Sequence, residues 1–246
     1  KVTSNVDIDE IEKASEYGAE LVIVDVPNWK IIPLENIIAK LHKSKTKVFA
    51  TAKSSQEVAT LFSVLELGVD GVILSTDSEE EVERARRELT PARFPITRAR
   101  IIEVKDVGTG ERVCVDTASM MRIGEGMLVG SRSNFMFLVH NEWVGSSFTL
   151  SGPSRVNARH IYCYTMAPGG GTRYLSEIES GSEVWIVNKE GIARSAVVGR
   201  SKIETRPLRL IRAKINGEEG TVILQIAETI RLISKNGELV SVTEVK

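Results

Sequence analysis

The alternation of apolar and polar positions changes character once along this chain, near residue 97. Before that point, apolar runs of strand length alternate with stretches of helical period. Ile8, Ile11 and Ala14 recur at three-residue intervals, so residues 9–17 read as a helix that Gly18 stops. Residues 20–26, ELVIVDV, form a continuous β-branched run, which predicts a strand covered on both faces. Pro27 ends it. The pattern then gives a helix over 34–41 and a second buried strand over 47–52. A helix capped by Ser54 or Ser55 follows and runs to Leu67, with Glu57 in its first turn and Gly68 as its stop. Residues 72–75 make a third strand, and Asp77 or Ser78 opens an acidic-headed helix ending near Leu89. Such alternation implies a parallel sheet with right-handed crossovers.

Residues 90–97 carry Pro91 and Pro95 and read as a linker. Beyond them helical periodicity almost vanishes. Residues 113–115, 127–129, 135–139, 183–188, 193–199, 208–215, 221–224, 230–233 and 239–242 read as strands. Residues 189–191, Asn216-Gly217 and Asn236-Gly237 are turns between them, and Asn-Gly is a strong hairpin signal. The fold class expected is α+β. Residues 1–97 form an α/β part with parallel strands, like a portion of a β/α-barrel. Residues 98–246 form a mostly antiparallel all-β part, a barrel or sandwich.

Composition adds exclusions. With 42% hydrophobic and 26% charged residues the chain is ordinarily globular. A net charge of −1 gives no pull toward nucleic acid or anionic membrane. No run of ~18 apolar residues is present, so no membrane span is expected, and no signal-peptide pattern opens the chain. It starts on Lys1 rather than Met, so a trimmed N-terminus is expected. Cys114 and Cys163 lie in apolar stretches and read as buried reduced thiols. The three histidines and two cysteines show no metal-ligand spacing, and no metal is expected.

Candidate chemistry falls in three places. Parallel sheets bind ligands at the carboxyl ends of their strands. Lys30, Lys53 and Asp77 stand there, and for each the competing reading is a solvated loop charge. Trp29, Ile31 and Ile32 surround Lys30 and would favour its neutral amine, although Lys30 can instead pair with Glu35 at the surface. The second place is residues 103–142, where Gly108, Gly110, Gly124 and Gly126 mark tight turns or close approaches. That stretch delivers His140 and Glu142, two apart at a strand end and therefore expected on one face. The third is residues 168–174, PGGGTRY. Its backbone N–H groups and Arg173 can hold a phosphate or carboxylate, or it is a flexible hairpin tip. No GxGxxG follows any strand.

Several segments together resemble the archaeal-type, or type II, 3-dehydroquinate synthase family. They are WKIIPLENIIA (29–39), LELGVDGVIL (65–74), VGTGERVCVDT (107–117), GEGMLVGS (124–131), FLVH (137–140), RVNA (155–158), PGG (168–170), TRYLSE (172–177), VGRSKIETRPL (198–208) and AETIRL (227–232). The resemblance covers residues 29–246, and the family's N-terminal strand and helix are expected to be absent or shortened here. It implies a cytoplasmic enzyme of aromatic amino acid biosynthesis acting on a small-molecule substrate, 2-amino-3,7-dideoxy-D-threo-hept-6-ulosonate. NAD is the implied cofactor: the amine-bearing carbon is oxidised, ammonia leaves, and the methyl ketone closes onto the new keto acid to give 3-dehydroquinate. Self-association as a homo-oligomer is left open.

That chemistry allots roles to the residues already singled out. Lys30, His140 and Glu142 are the candidate catalytic groups, as base or as Schiff-base amine. Arg155, Asn157, Arg173 and Lys53 are candidate substrate contacts, with Arg155 or Arg173 able to hold a carboxylate bidentately. Gly108, Gly110, Gly169 and Gly170 are candidate cofactor contacts. Asn28 and residues 159–162 depart from the family pattern. They leave two other readings: a cyclase for a related, phosphorylated amino-keto acid, and a catalytically silent member.

Overall fold

The computed structural model describes residues 2–25, 31–64, 67–145, 151–234 and 236–246. The chain divides into two compact units, Lys1–Pro91 and Ala92–Lys246.

In the first unit α1 (Asn5–Glu16), β1 (Leu21–Val24), α2 (Ile31–Leu41), β2 (Lys47–Ala52), α3 (Ser55–Ser63), β3 (Gly71–Leu74) and α4 (Glu79–Leu89) follow in order. The strands pair in parallel in the order β1-β2-β3. Local chemistry sets the helix ends. The Asp7 carboxylate accepts from the backbone N–H of Thr3 at 2.6 Å and of Ser4 at 2.9 Å, so α1 begins earlier than its apolar period suggests. Ser54 and Ser78 cap α3 and α4 through their hydroxyls. α3 closes at Ser63, short of the expected Leu67, and Gly68 takes φ +65.

The four helices share one core with Val22, Val24, Val48, Ala50, Ala52, Val72 and Leu74. These strand residues alternate, so one face of the sheet is covered. Leu21, Ile23 and Ile73 alternate with them and stay exposed, which corrects the expectation of strands covered on both faces. An apolar run alone cannot tell whether both sides of a strand find a partner.

The second unit contains β4 (Ala92–Arg93), β5 (Arg100–Thr117), β6 (Glu125–Arg132), β7 (Phe135–His140), β8 (Arg155–His160), β9 (Tyr164–Met166), β10 (Thr172–Tyr174), β11 (Glu183–Asn188), β12 (Ile192–Ile215), β13 (Glu218–Gln225), β14 (Arg231–Ile233) and β15 (Leu239–Ser241). All pair antiparallel in one sheet, with the path β15-β14-β7-β6-β11-β12-β5-β8. Its only helical turn among the described residues is a 3-10 turn at Leu175–Glu177.

β12 is continuous where the apolar pattern predicts two strands. Residues 200–206 are charged or polar at alternate positions and offer no apolar signal, yet they pair with β5 throughout. The expected hairpin at Asn216-Gly217 forms, with φ of 49° and 92°. The sheet folds over so that β13 lies against β6, β7 and β8. Val113, Val115, Met127, Val129, Val139, Ile211, Val222 and Leu224 fill the enclosed core. Each such side chain contributes about 1.5–3 kcal/mol on burial. Gly126 is forced by packing, since a Cβ there would stand 1.8 Å from the Val139 carbonyl oxygen.

Candidate active site

Two regions concentrate polar side chains, one in each unit. The first is the carboxyl rim of the parallel sheet. Asp25 follows β1, and Thr51 Oγ1 on β2 donates to its Oδ1 at 2.8 Å. Lys53 follows β2 and is exposed; its backbone N–H donates to Glu57 Oε2 at 2.9 Å. Asp77 follows β3 and is also exposed. Lys30, with Asn28 and Trp29, lies outside the described residues.

The second region spreads over β8, β5 and β12. Strand register sets it in ranks. Asp116 stands between Arg155 and Arg200, Cys114 between Asn157 and Lys202, and Arg112 opposite Glu204. Residues 112, 114 and 116 alternate with core-facing Val113 and Val115, so they share the other face of β5. Arg155 donates to Asp116 through Nε at 2.7 Å and Nη2 at 3.2 Å. Arg200 donates to Asp116 Oδ2 through Nε at 2.8 Å and Nη2 at 2.5 Å. Arg112 donates to Asn157 Oδ1 and, at 2.6 Å, to Glu204 Oε2. Lys202 and Arg206 also reach Glu204, at 2.6 and 3.1 Å.

Electrostatics follow from this layering. Burial alone would raise the Asp116 carboxyl, but the Arg155 and Arg200 hydrogen bonds outweigh it and hold it below the usual range. Glu204 is also held low, first by the Lys202 hydrogen bond. Burial pushes the Cys114 thiol up, against the pull of Arg112 and Arg155, so it stays protonated at neutral pH. Arg155 is driven further up by the Asp116 hydrogen bond and is a permanent cation.

Glu142 sits at the edge of this layer. Its Oε2 lies 3.9 Å from Arg155 Nε, and its Oε1 accepts from Thr229 Oγ1 at 2.7 Å. Backbone bonds fix it, from Glu142 N–H to the Arg155 carbonyl and from Gly152 N–H to its own carbonyl, both at 2.8 Å. His140 engages different neighbours. It is 1% exposed, and its Nε2 accepts from Gly124 N–H at 2.9 Å, which puts the ring proton on Nδ1. Burial lowers its pKa to about 4; the Asn141 backbone opposes the shift without completing a hydrogen bond of ordinary geometry to Nδ1. Asn141 between them is fully buried and donates to the Arg122 and Glu125 carbonyls, both at 2.7 Å. His140 and Asn141 thus staple the 122–125 turn, and Glu142 faces the arginines.

The remaining candidates lie elsewhere. Gly108 and Gly110 are within β5, paired with Leu208 and Arg206, and the register slips next to Gly108, whose φ is +83. A bulge accounts for that glycine. Gly169 and Gly170 form the tip between β9 and β10, with positive φ, and a Cβ added at either would meet no heavy atom within 4 Å. Arg173 follows on β10, exposed. At the end of the β9–β10 ladder away from the tip, Tyr164 and Tyr174 stack at 4.6 Å between ring centroids, and Tyr162 packs edge-on to Tyr174 at 6.2 Å. The open glycine backbone of the tip can receive a phosphate. Among the described residues, no group of three or more His, Cys, Asp or Glu could hold a metal, and no helix is long and apolar enough to cross a membrane.

Asp116, Arg112, Arg200, Lys202 and Glu204 were not among the expected site residues. For Arg200, Lys202 and Glu204 the signal is present in residues 200–206, RSKIETR, where charges recur at every second position, and Arg112 and Asp116 alternate with Val113 and Val115 in ERVCVDT.

Comparison with known proteins agrees with this two-unit organisation. Residues 1–89 match the 3-dehydroquinate synthase II N-terminal domain, and residues 98–246 match the C-terminal domain of the same family. A 3-dehydroquinate synthase of Nitrosopumilus maritimus is 59% identical over all of this chain and 70% of its own length. One from Cenarchaeum symbiosum is 54% identical over all of this chain and 73% of its own. One from Methanocaldococcus jannaschii is 41% identical over all of this chain and 69% of its own. No solved structure gives a significant match.

Proposed function

The chain belongs to the 3-dehydroquinate synthase II family, and from that premise we propose that it makes 3-dehydroquinate from 2-amino-3,7-dideoxy-D-threo-hept-6-ulosonate with NAD as oxidant. The observation that carries this reading is likeness along the whole chain to synthases of that name. NAD, when bound, would supply the hydride acceptor for oxidation of the amine-bearing carbon. Water then replaces the amine, ammonia leaves, and the methyl carbon next to the ketone loses a proton and bonds to the new carbonyl carbon.

The chain's own groups divide this work. Arg155 holds the carboxylate, since its guanidinium is fixed on Asp116 and permanently charged. Glu142, next to Arg155, is the base for the methyl proton. His140 keeps Glu142 in place indirectly by fixing the turn at Gly124. The β9–β10 tip, with open backbone at Gly169 and Gly170, suits the dinucleotide phosphates better than Gly108 and Gly110 within β5 do. Lys30 on the first unit is the candidate Schiff-base amine for the ketone. An enzyme of this pathway acts in the cytoplasm.

The test is direct. Purified protein with the amino-ulosonate and NAD should give reduced nicotinamide absorbance and 3-dehydroquinate. Neither signal, with folded protein at millimolar NAD, would count against the reading. A preference for a phosphorylated substrate would favour the related cyclase, which the departures at Asn28 and residues 159–162 keep in view.

A further inference from the structure

The β8–β5–β12 face has an arrangement that ordinary ion pairing does not require. Its acids are sunk and its cations, Arg112 apart, are raised. Side-chain exposure is 14% for Asp116 and 18% for Glu204, against 59% for Arg200, 53% for Lys202, 41% for Arg206 and 38% for Arg155. Each acid is also shared. Asp116 carries two arginines, and Glu204 carries Arg112, Lys202 and Arg206. Cations therefore exceed acids on this face even when Glu142 is included. Arg155 and Arg200 each spend Nε and Nη2 on Asp116, leaving Nη1 without an acceptor among the described residues. Two ranks along the sheet, the Nε of Arg112, itself 8% exposed, is buried with no partner among the described residues. The spare Nη1 groups of Arg155 and Arg200 and the excess of raised cations call for an anion there.

We infer that Arg155, Arg200 and Lys202 form a preformed seat for an anionic group of a bound ligand. Asp116 is its positioning residue. It locks two guanidiniums side by side before the ligand arrives, which reduces the ordering cost of binding. Lys202, one rank along the sheet, adds an exposed ammonium held on Glu204. Two groups share the required chemistry: the carboxylate of a small amino or keto acid, and the diphosphate of a dinucleotide. The inference rests on the enzyme reading only for naming those two sources.

The experiment compares wild type with Arg200→Gln and Arg200→Lys. Arg200 is largely exposed, so the variants should melt with wild type. Michaelis constants are measured for the amino-ulosonate and for NAD. Loss of one charge-assisted contact should raise one constant about tenfold with little change in kcat. Arg200→Lys should restore part of it. A rise for the amino-ulosonate alone makes the seat a carboxylate site, and a rise for NAD alone makes it a diphosphate site. Unchanged constants for both would overturn the inference. A second arm needs no turnover: pyruvate and inorganic pyrophosphate are titrated into wild type and Arg200→Gln by calorimetry. Binding of either that weakens about tenfold in the variant supports the seat, and binding of neither to wild type overturns it. Wild type that binds pyruvate or pyrophosphate but turns nothing over would remove the proposed reaction and leave the seat standing.

Discussion

The two polar regions are built on opposite principles. The rim of the parallel sheet is assembled from residues close to strand ends, and its charges have few fixed partners: Lys53 and Asp77 stand in solvent. The β8–β5–β12 layer is cross-linked by pairs far apart in sequence, such as Arg155 with Asp116 and Arg112 with Glu204. The first kind of site can be mutated without touching the fold. In the second, the sunken members such as Arg112 and Asp116 serve structure and site alike, so substitutions there test both.

The sharpest break of this contrast is at the second unit's core. Gly126→Ala drives a Cβ into the Val139 carbonyl, which backbone cannot easily yield. It should cost on the order of 3 kcal/mol. Scanning calorimetry should show a melting temperature clearly below that of wild type. Arg112→Met comes next. It leaves Asn157 without its donor and removes one of three cations from Glu204. A loss of about 2–3 kcal/mol is expected by urea titration, at the lower end of what breaking a buried pair costs because Lys202 and Arg206 remain.

Acid should act on the second unit in two steps. His140 titrates near 6.5 when unfolded and at about 4 when folded. Between those values the unfolded state holds the extra proton, so stability falls as pH drops, by about 1.4 kcal/mol per pH unit. Asp116, whose folded pKa is lowered, contributes stability above the ordinary carboxyl pKa and loses it as pH falls through its folded value. Urea midpoints from pH 7 to 4 should decline in wild type, and His140→Gln should flatten the upper part of that decline. Equal slopes in both proteins would place the proton uptake elsewhere.

The smallest stability effects belong to the rim. Lys53→Met should shift stability by no more than about 0.5 kcal/mol, since Lys53 is exposed. If Lys53 or Lys30 takes part in ring closure, turnover should fall by ~10² or more in the folded Lys53→Met or Lys30→Met variant. Near-normal turnover in both would move the chemistry onto Glu142 and the arginine layer.

How much of the molecule was legible in its sequence follows from the same contrast. The first unit was legible because its elements are local: an apolar run, a serine cap, a glycine stop. The Asn-Gly hairpin after β12 was legible for the same reason. His140 and Glu142 were found as a pair, but only register and turn geometry reveal that one fixes Gly124 while the other meets Arg155. The middle of β12 was read as a gap because a strand paired on its edges, with a polar face, carries no apolar alternation. Its alternating charges held the information. Long-range pairing decided their role, and no local window contains it.

The catalytic roles proposed for Arg155, Glu142 and Lys30 depend on the reaction itself, and stoichiometry measures it. Wild-type protein is given a limiting amount of the amino-ulosonate with excess NAD. Reduced nicotinamide, ammonia and 3-dehydroquinate are then quantified in the same vessel by absorbance, enzymatic assay and mass spectrometry. The three should appear in equal amounts, each matching the substrate consumed. Cyclic product without ammonia, ammonia without reduced nicotinamide, or no consumption by folded protein would contradict the proposed reaction.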